Sequence, residues 1–352
     1  MAHDDAQGSQ RTMAELAAGT AARVGDQVAM RHLVDGAWVD VSYTELAGRV
    51  SAQAAGLVAF GLEPGDRVCI LADTSPAWTE LGLAVASVGG VVVPIYPSNS
   101  PDECAWVIGN SGARIVACEN AAQVAKVDAV QADLPGLELT VVIVGDAAGA
   151  TPLTELVARG SSVDAQVLVD RRAAVAPGDP YTIIYTSGTT GRPKGCVLSH
   201  AGFGLARQVT QELELIRGDD VVYLYLPLAH VFAQLVQACV IESGGSIAYF
   251  GGDTKRIVAE LAEVQPTALP SVPRIFEKIY AMAVGMVSEA DRPAFDAAVD
   301  QCVEVRLADA QGHDVAPELR AAAEAADAQL FAPLRSLFGG KLRLAISGAA
   351  PI

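Results

Sequence analysis

The sequence predicts an α/β fold built on mainly parallel sheets with helices on both faces, and three observations lead there. Short β-branched runs alternate with longer stretches of helical period. Helix-start signals, two of them Ser-x-x-Glu boxes, stand at the head of the helical stretches. The chain has 352 residues, 51% hydrophobic and 18% charged, which is enough apolar material for one large or two ordinary domains and excludes disordered and fibrous classes.

In chain order, Ser42-Tyr-Thr-Glu45 is a capping box. Leu46, Val50, Ala54, Leu57 and Val58 recur behind it at helical spacing, so a helix is predicted from Tyr43 to Phe60. After Gly65-Asp66, the run Arg67 to Leu71 reads as a buried strand. Ser75-Pro76 opens the next helix, because proline at the first helical position gives up no needed amide bond. Val91 to Ile95 is a strand, and Ser100-Pro-Asp-Glu103 repeats the capping box. Further strands are predicted at Arg114 to Cys118, Thr140 to Val144, Tyr181 to Tyr185, Val221 to Leu226, Ser246 to Phe250 and Leu342 to Ile346, with helical stretches between them. No repeat of fixed period is present, and Ala147 to Thr151 is the one candidate linker.

A formal net charge of −17 repels nucleic-acid phosphates and anionic membrane faces, so nucleic acid is not an expected partner. Cys69, Cys104, Cys118, Cys196, Cys239 and Cys302 are scattered without metal-site spacing and read as reduced, mostly buried thiols. Met1 to Arg11 carries Asp4 and Asp5 and lacks the features of a secretory signal, so a cytoplasmic location is expected. The apolar segments Leu81 to Tyr96 and Leu224 to Ile241 are interrupted by Gly89, Gly90 and Pro94 in one and by Pro227, His230, Gln234 and Gln237 in the other. Both read as core elements, with no transmembrane segment.

Between a predicted strand and a predicted helix lies Tyr185-Thr-Ser-Gly-Thr-Thr-Gly-Arg-Pro-Lys-Gly195. Gly188, Gly191 and Gly195 let backbone approach a ligand. Amides and the hydroxyls of Thr186, Ser187, Thr189 and Thr190 can surround phosphate oxygens, and Lys194 adds a point charge. On a chain of net charge −17 a polyanion such as ATP is held off at long range, so binding needs a local nest of donors of this kind. A Walker A ending is absent, because Gly195 follows Lys194. The competing structural reading is a polar strand-to-helix turn.

The segment Thr186 to Gly195 resembles the phosphate-binding signature of the adenylate-forming enzymes, the acyl-CoA synthetases, luciferases and peptide-synthetase adenylation domains. Leu226-Pro-Leu-Ala-His-Val-Phe232 looks like that family's second core motif, and Ser271-Val-Pro-Arg-Ile-Phe-Glu-Lys278 is similar to a block of its long-chain fatty acyl-CoA synthetases. Ser347-Gly-Ala-Ala-Pro351 resembles the loop that packs on adenine, and its small residues would let a flat base lie against Gly348, Ala349, Ala350 and Pro351 at a strand's carboxyl end. The resemblance runs from about Met13 and includes Gly65-Asp-Arg-Val68 and Val93-Pro-Ile-Tyr96.

The resemblance implies a ligase of fatty acid metabolism. A carboxylate attacks the α-phosphate of ATP to give acyl-AMP and pyrophosphate, and coenzyme A then takes the acyl group. Because negative charge gathers around phosphorus, such catalysis is mainly positioning and charge neutralisation. Lys194 and the loop donors would hold the β- and γ-phosphates, and Mg²⁺ would be shared between ATP and the Thr186 hydroxyl. His230, on pattern alone more simply a core histidine, would stand beside the acyl carboxylate and the α-phosphate, with Val231 and Phe232 at the acyl entrance. Arg274, Glu277 and Lys278 read as a solvated charged group on a helix.

The resemblance further implies two intertwined α/β subdomains of the N-terminal domain, truncated before the C-terminal one. Residues 65–215, with the loop 186–195, form one; residues 13–64 with 216–352 form the other, incomplete; residues 1–12 are a flexible tail. The metal carboxylate, the ribose-binding aspartate and the C-terminal lysine of the family have no counterpart before Ile352, so the fragment alone is expected to be inactive. An adenylating enzyme for aryl, short-chain or amino acids, a non-catalytic nucleotide-binding interaction module, and a homodimer stay open.

Overall fold

The computed structural model describes residues 11–186, 191–285, 287–336 and 338–350. Its described residues form helices and strands in alternation. The chain runs α1 (Leu16–Val24), β1 (Val28–Val34), β2 (Ala37–Ser42), α2 (Tyr43–Ala59), β3 (Arg67–Leu71), α3 (Pro76–Ser87), β4 (Val91–Ile95), α4 (Pro101–Ser111), β5 (Ile115–Cys118), α5 (Ala121–Asp128), β6 (Leu139–Val142), β7 (Thr151–Pro152), α6 (Leu153–Gly160) and α7 (Ala165–Ala174). It continues with β8 (Pro180–Thr186), β9 (Lys194–Ser199), α8 (His200–Glu212), β10 (Val221–Leu224), α9 (Val231–Ser243), β11 (Ser246–Tyr249), α10 (Ile257–Val264), β12 (Ala268–Ser271), α11 (Pro273–Gly285), α12 (Arg292–Gln311), α13 (Pro317–Ala326), α14 (Ala332–Ser336) and β13 (Leu344–Ser347). Two mainly parallel sheets result, as expected.

The chain divides into two compact units, residues 1–220 with 224–250 and residues 221–223 with 251–352. Among the described residues the first unit carries a seven-stranded sheet in the order β7-β6-β5-β3-β4-β8-β9, parallel throughout except for the antiparallel pair β8/β9. It also holds β1, paired parallel with β11 and antiparallel with β2. Cys69, Leu71, Val93, Ile95, Val116, Cys118 and Val142 of the central strands pack with Val107 and Ile108 of α4 and Val124 and Val127 of α5. Continuous apolar strands of this kind are what a parallel sheet covered on both faces requires. In the second unit β12 pairs parallel with β10 and with β13.

The helix starts form as the sequence specifies. At α2 the Ser42 amide donates to Glu45 Oε2 (2.7 Å) and the Glu45 amide to Ser42 Oγ (3.2 Å); at α4 the same exchange joins Ser100 and Glu103 (2.8 and 3.3 Å). Ser75 Oγ accepts from the Trp78 amide (3.3 Å) ahead of Pro76. Each exchange satisfies amides that have no partner inside the helix. Several strands are shorter than expected; the one after residue 221 stops at Leu224, ahead of the turn in which the Leu226 carbonyl accepts from Thr74 Oγ1.

Three readings change. The glycine-rich loop joins two strands, not a strand to a helix, because β9 takes up the free edge of β8, and α8 begins only at His200. Ala147 to Thr151 is no linker: it lies within the first unit, where Ala147 and Ala150 pack on the core and Thr151 starts β7. Residues 1–10 of the anticipated tail lie outside the described residues, whereas Thr12 is buried and its carbonyl accepts from Arg207 Nη1 (3.1 Å). All six cysteines are free and four of them, Cys69, Cys104, Cys118 and Cys239, are buried. Among the described residues no helix is long and apolar enough to cross a membrane.

Candidate functional site

The loop is closed by a hairpin. Thr186 ends β8, Lys194 begins β9, and the two are cross-strand partners with exposed side chains. Ser187, Gly188, Thr189 and Thr190 lie outside the described residues. Gly191 has φ +95°, a conformation that other residues rarely adopt. Gly195 is needed for a different reason: a Cβ there would meet Ile183 Cγ2 at 2.8 Å and the Tyr185 ring at 3.1 Å. Among the described residues no helix starts at the loop, so no helix dipole of its own is available there to attract an anion.

Helix α4 holds both limbs of this hairpin, and sequence reasoning missed it. Trp106 Nε1 donates to the Pro193 carbonyl (2.8 Å) and the Arg192 guanidinium lies 4.7 Å from the centre of the Trp106 ring. One turn on, Asn110 Oδ1 accepts from the Tyr185 hydroxyl (2.7 Å). The i, i+4 spacing of Trp106 and Asn110 puts them on one helix face, a signal available in the sequence but without meaning until β8 and β9 are placed beside it.

His230 caps α9. Its Nδ1 accepts from the Phe232 amide (3.2 Å), so in the neutral ring the proton sits on Nε2. The approach to it is fixed by Thr74, whose Oγ1 donates to the Leu226 carbonyl (2.9 Å) and accepts from the Leu228 amide (2.9 Å). Buried Gln234 reaches back to the Leu228 carbonyl through Nε2 (2.9 Å). Thr74 was also missed, because its neighbour Ser75 explains the turn as a helix cap and leaves nothing for a second hydroxyl to do.

A cleft of about 380 Å³ in the first unit brings Thr186, Pro193, His230 and Val231 together with Tyr96 and Tyr185. Burial raises the pKa of both phenols, so they stay neutral donors beside the cleft. Lys194 and Phe232 are not among its lining residues. Gly348, Ala349 and Ala350 belong to the second unit. They follow β13, whose Ser347 is the cross-strand partner of Ser271; the Gly348 amide donates to the Ser271 carbonyl (3.1 Å) and Ala349 takes φ +65°. Pro351 lies outside the described residues. Arg274, Glu277 and Lys278 are exposed on α11.

Comparison with known proteins follows the same lines. The long-chain-fatty-acid–CoA ligase FadD15 of Mycobacterium tuberculosis is 35% identical over 333 residues, covering 93% of this chain and 54% of that protein. The long-chain-fatty-acid–CoA ligase ACSBG1 of Bos taurus is 31% identical over 282 residues, covering 76% of this chain and 39% of its own. This chain therefore spans about half or less of the length of these relatives. The inhibitor-bound N-terminal domain of FACL13 from Mycobacterium tuberculosis superposes with a TM-score of 0.66 at 25% identity, covering 79% of this chain and 66% of that one. The family model described as AMP-binding enzyme matches residues 18–352, and the chain belongs to that family of adenylate-forming ligases.

Proposed function

We propose that this chain is the nucleotide- and acid-binding part of a long-chain fatty acid–CoA ligase, which forms acyl-AMP from a fatty acid and ATP and passes the acyl group to coenzyme A. One observation carries the reading: the hairpin that closes the Gly/Ser/Thr loop and the ring of His230 border the same cleft. The relatives' names support a fatty acid as substrate. Loop amides and hydroxyls with Lys194 would hold the β- and γ-phosphates. His230 Nε2 would then donate to an oxygen of the α-phosphate or the acyl carboxylate, so the two anions meet with their charge offset by fixed donors. In this role His230 orients and does not take a proton. Val231 would line the acid's path.

The exposed Thr186 hydroxyl and the bare backbone at Gly191 suit a triphosphate with its metal. Among the described residues no group of three or more His, Cys, Asp or Glu side chains is placed to hold a metal by itself, so Mg²⁺ would arrive with the nucleotide, with Thr186 as the protein ligand offered. The metal supplies charge neutralisation at the phosphates. Gly348, Ala349 and Ala350, with Pro351, would receive adenine. The division at residues 65–215 against 13–64 with 216–352 is part of the same proposal.

The reaction belongs to the whole protein, of which the chain covers about half by comparison with FadD15, and the 352 residues alone are expected to bind ATP with little or no turnover. The test measures ATP affinity of the chain and pyrophosphate release by the full-length protein, across acids from acetate and benzoate to palmitate. Lys194→Ala should weaken ATP binding by roughly tenfold, the loss of one charge-assisted contact. Release only with aryl or short acids would move the substrate class, and no release with any acid would make the chain a binding module.

A further inference from the structure

Outside the cleft, the first unit has a second pocket, of about 420 Å³, lined by Arg11, Arg23, Arg172 and Arg207 with Glu15 and Glu242. It shares no lining residue with the cleft of Thr186 and His230. Four guanidinium groups against two carboxylates leave an excess of positive charge, on a chain whose net charge is −17.

Glu242 is oversubscribed. Its Oε1 is 2.9 Å from Arg11 Nη1 and its Oε2 3.4 Å from Arg207 Nη2, while its carbonyl accepts from Arg23. Arg172 makes no ion pair among the described residues, and its Nε is buried without a hydrogen-bond partner. The Arg207 side chain is 3% exposed; its Nη1 donates to the Thr12 carbonyl (3.1 Å) and lies 3.4 Å from Met13 Sδ, and its Nε is unpartnered. Burial lowers the Arg207 pKa against the pull of Glu242 in the opposite direction. A buried cation that shares one carboxylate with a second cation is under-compensated in charge, and the group that completes the cluster is a tetrahedral oxyanion, whose oxygens match the planar fork that Arg172 leaves open.

We propose that this pocket binds a phosphate group, with Arg172 as its main ligand, the buried charge of Arg207 beneath it and the exposed Arg11 and Arg23 at its rim. The group could be carried by a small soluble metabolite or by a phospholipid headgroup, since both present the same oxygens. Arginine forks, rather than a glycine-rich turn, would hold it, so this binding is independent of the nucleotide reading.

The experiment titrates the intact chain with inorganic pyrophosphate by calorimetry at constant ionic strength, and in parallel measures its sedimentation with vesicles of phosphatidylcholine with and without phosphatidic acid. Arg172→Gln, Arg11→Gln and Lys194→Ala are compared with the parent. Expected is binding in one arm that weakens about tenfold in Arg172→Gln, less in Arg11→Gln, and stays in Lys194→Ala; the arm that responds names the source. If Arg172→Gln fails to fold, Arg11→Gln, whose side chain is 42% exposed, carries the comparison. Absence of binding in both arms, or binding that follows Lys194 and ignores the arginines, overturns the proposal.

Discussion

His200 is the first residue of α8, and its imidazole is buried against the Tyr181 ring with Nδ1 accepting from the Met13 amide (3.0 Å). Its Nε2 has no partner, and burial pushes its pKa down to about 4. The unfolded chain therefore binds a proton here, between about pH 6.5 and pH 4, that the folded chain does not. Stability from the neutral ring is complete above about pH 6.5 and drains away as pH falls towards 4, by up to about 3 kcal/mol. Urea unfolding at pH 7 and pH 5 should show that loss, and His200→Gln, which keeps an acceptor for Met13, should flatten it relative to the parent. An unchanged pH slope would mean that the ring is solvated. At Gly195 the sequence suggests close approach to a ligand, and the structure adds a second reason in the cross-strand contact with Tyr185 and Ile183. Gly195→Ala should lower stability by roughly 1–3 kcal/mol, read as a fall in the urea midpoint, because neither neighbour is free to move aside.

At the scale of elements, the clamp from α4 makes the loop's geometry depend on a helix that contains none of the expected ligands. Trp106→Phe keeps the ring under Arg192 but removes the donor to the Pro193 carbonyl. ATP affinity should fall about fivefold, with little change in the far-ultraviolet spectrum, and Asn110→Ala should act in the same direction through Tyr185. A Kd unaltered in both variants would show that the loop sets its own shape. Elements with a local cause were legible: Ser42, Ser75 and Ser100 announce their helices, and Arg67–Leu71 and Val91–Ile95 match their predicted strands residue for residue. The hairpin of β1 and β2 also carried a local signal that was passed over. Asp35-Gly36 is a two-residue turn with both φ positive, at 50° and 82°. β9 was not legible, because its side chains from Lys194 to Val197 are all exposed and what makes it a strand is the distant edge of β8. The clamp and Thr74 were hidden for the same reason: their partners are 87 and 152 residues away in sequence.

For the molecule as a whole, two electrostatic effects oppose each other, and their signs under added salt differ. A net charge of −17 repels itself in the compact state, and screening relieves that repulsion. Ion pairs such as Arg159–Glu155, Arg320–Asp309 and Arg256–Glu263 would be weakened by the same screening, but both partners of each are substantially exposed, so they contribute little to begin with. Self-repulsion acts between many charges across the surface, over distances that the Debye length passes as it shrinks from about 30 Å at 0.01 M salt to about 8 Å at 0.15 M. Relief of repulsion should therefore win. Raising sodium chloride across that interval should raise Tm by roughly 1–2 °C, the size of a change near 1 kcal/mol in a chain of 352 residues. A scanning-calorimetry series in which Tm falls instead would show that the ion pairs carry more stability than their exposure allows. The chloride series also supplies the baseline for the arginine pocket: where the pyrophosphate arm responds, pyrophosphate at equal ionic strength should raise Tm beyond it in Lys194→Ala, and adding Arg172→Gln to that variant should return the curve to the chloride line.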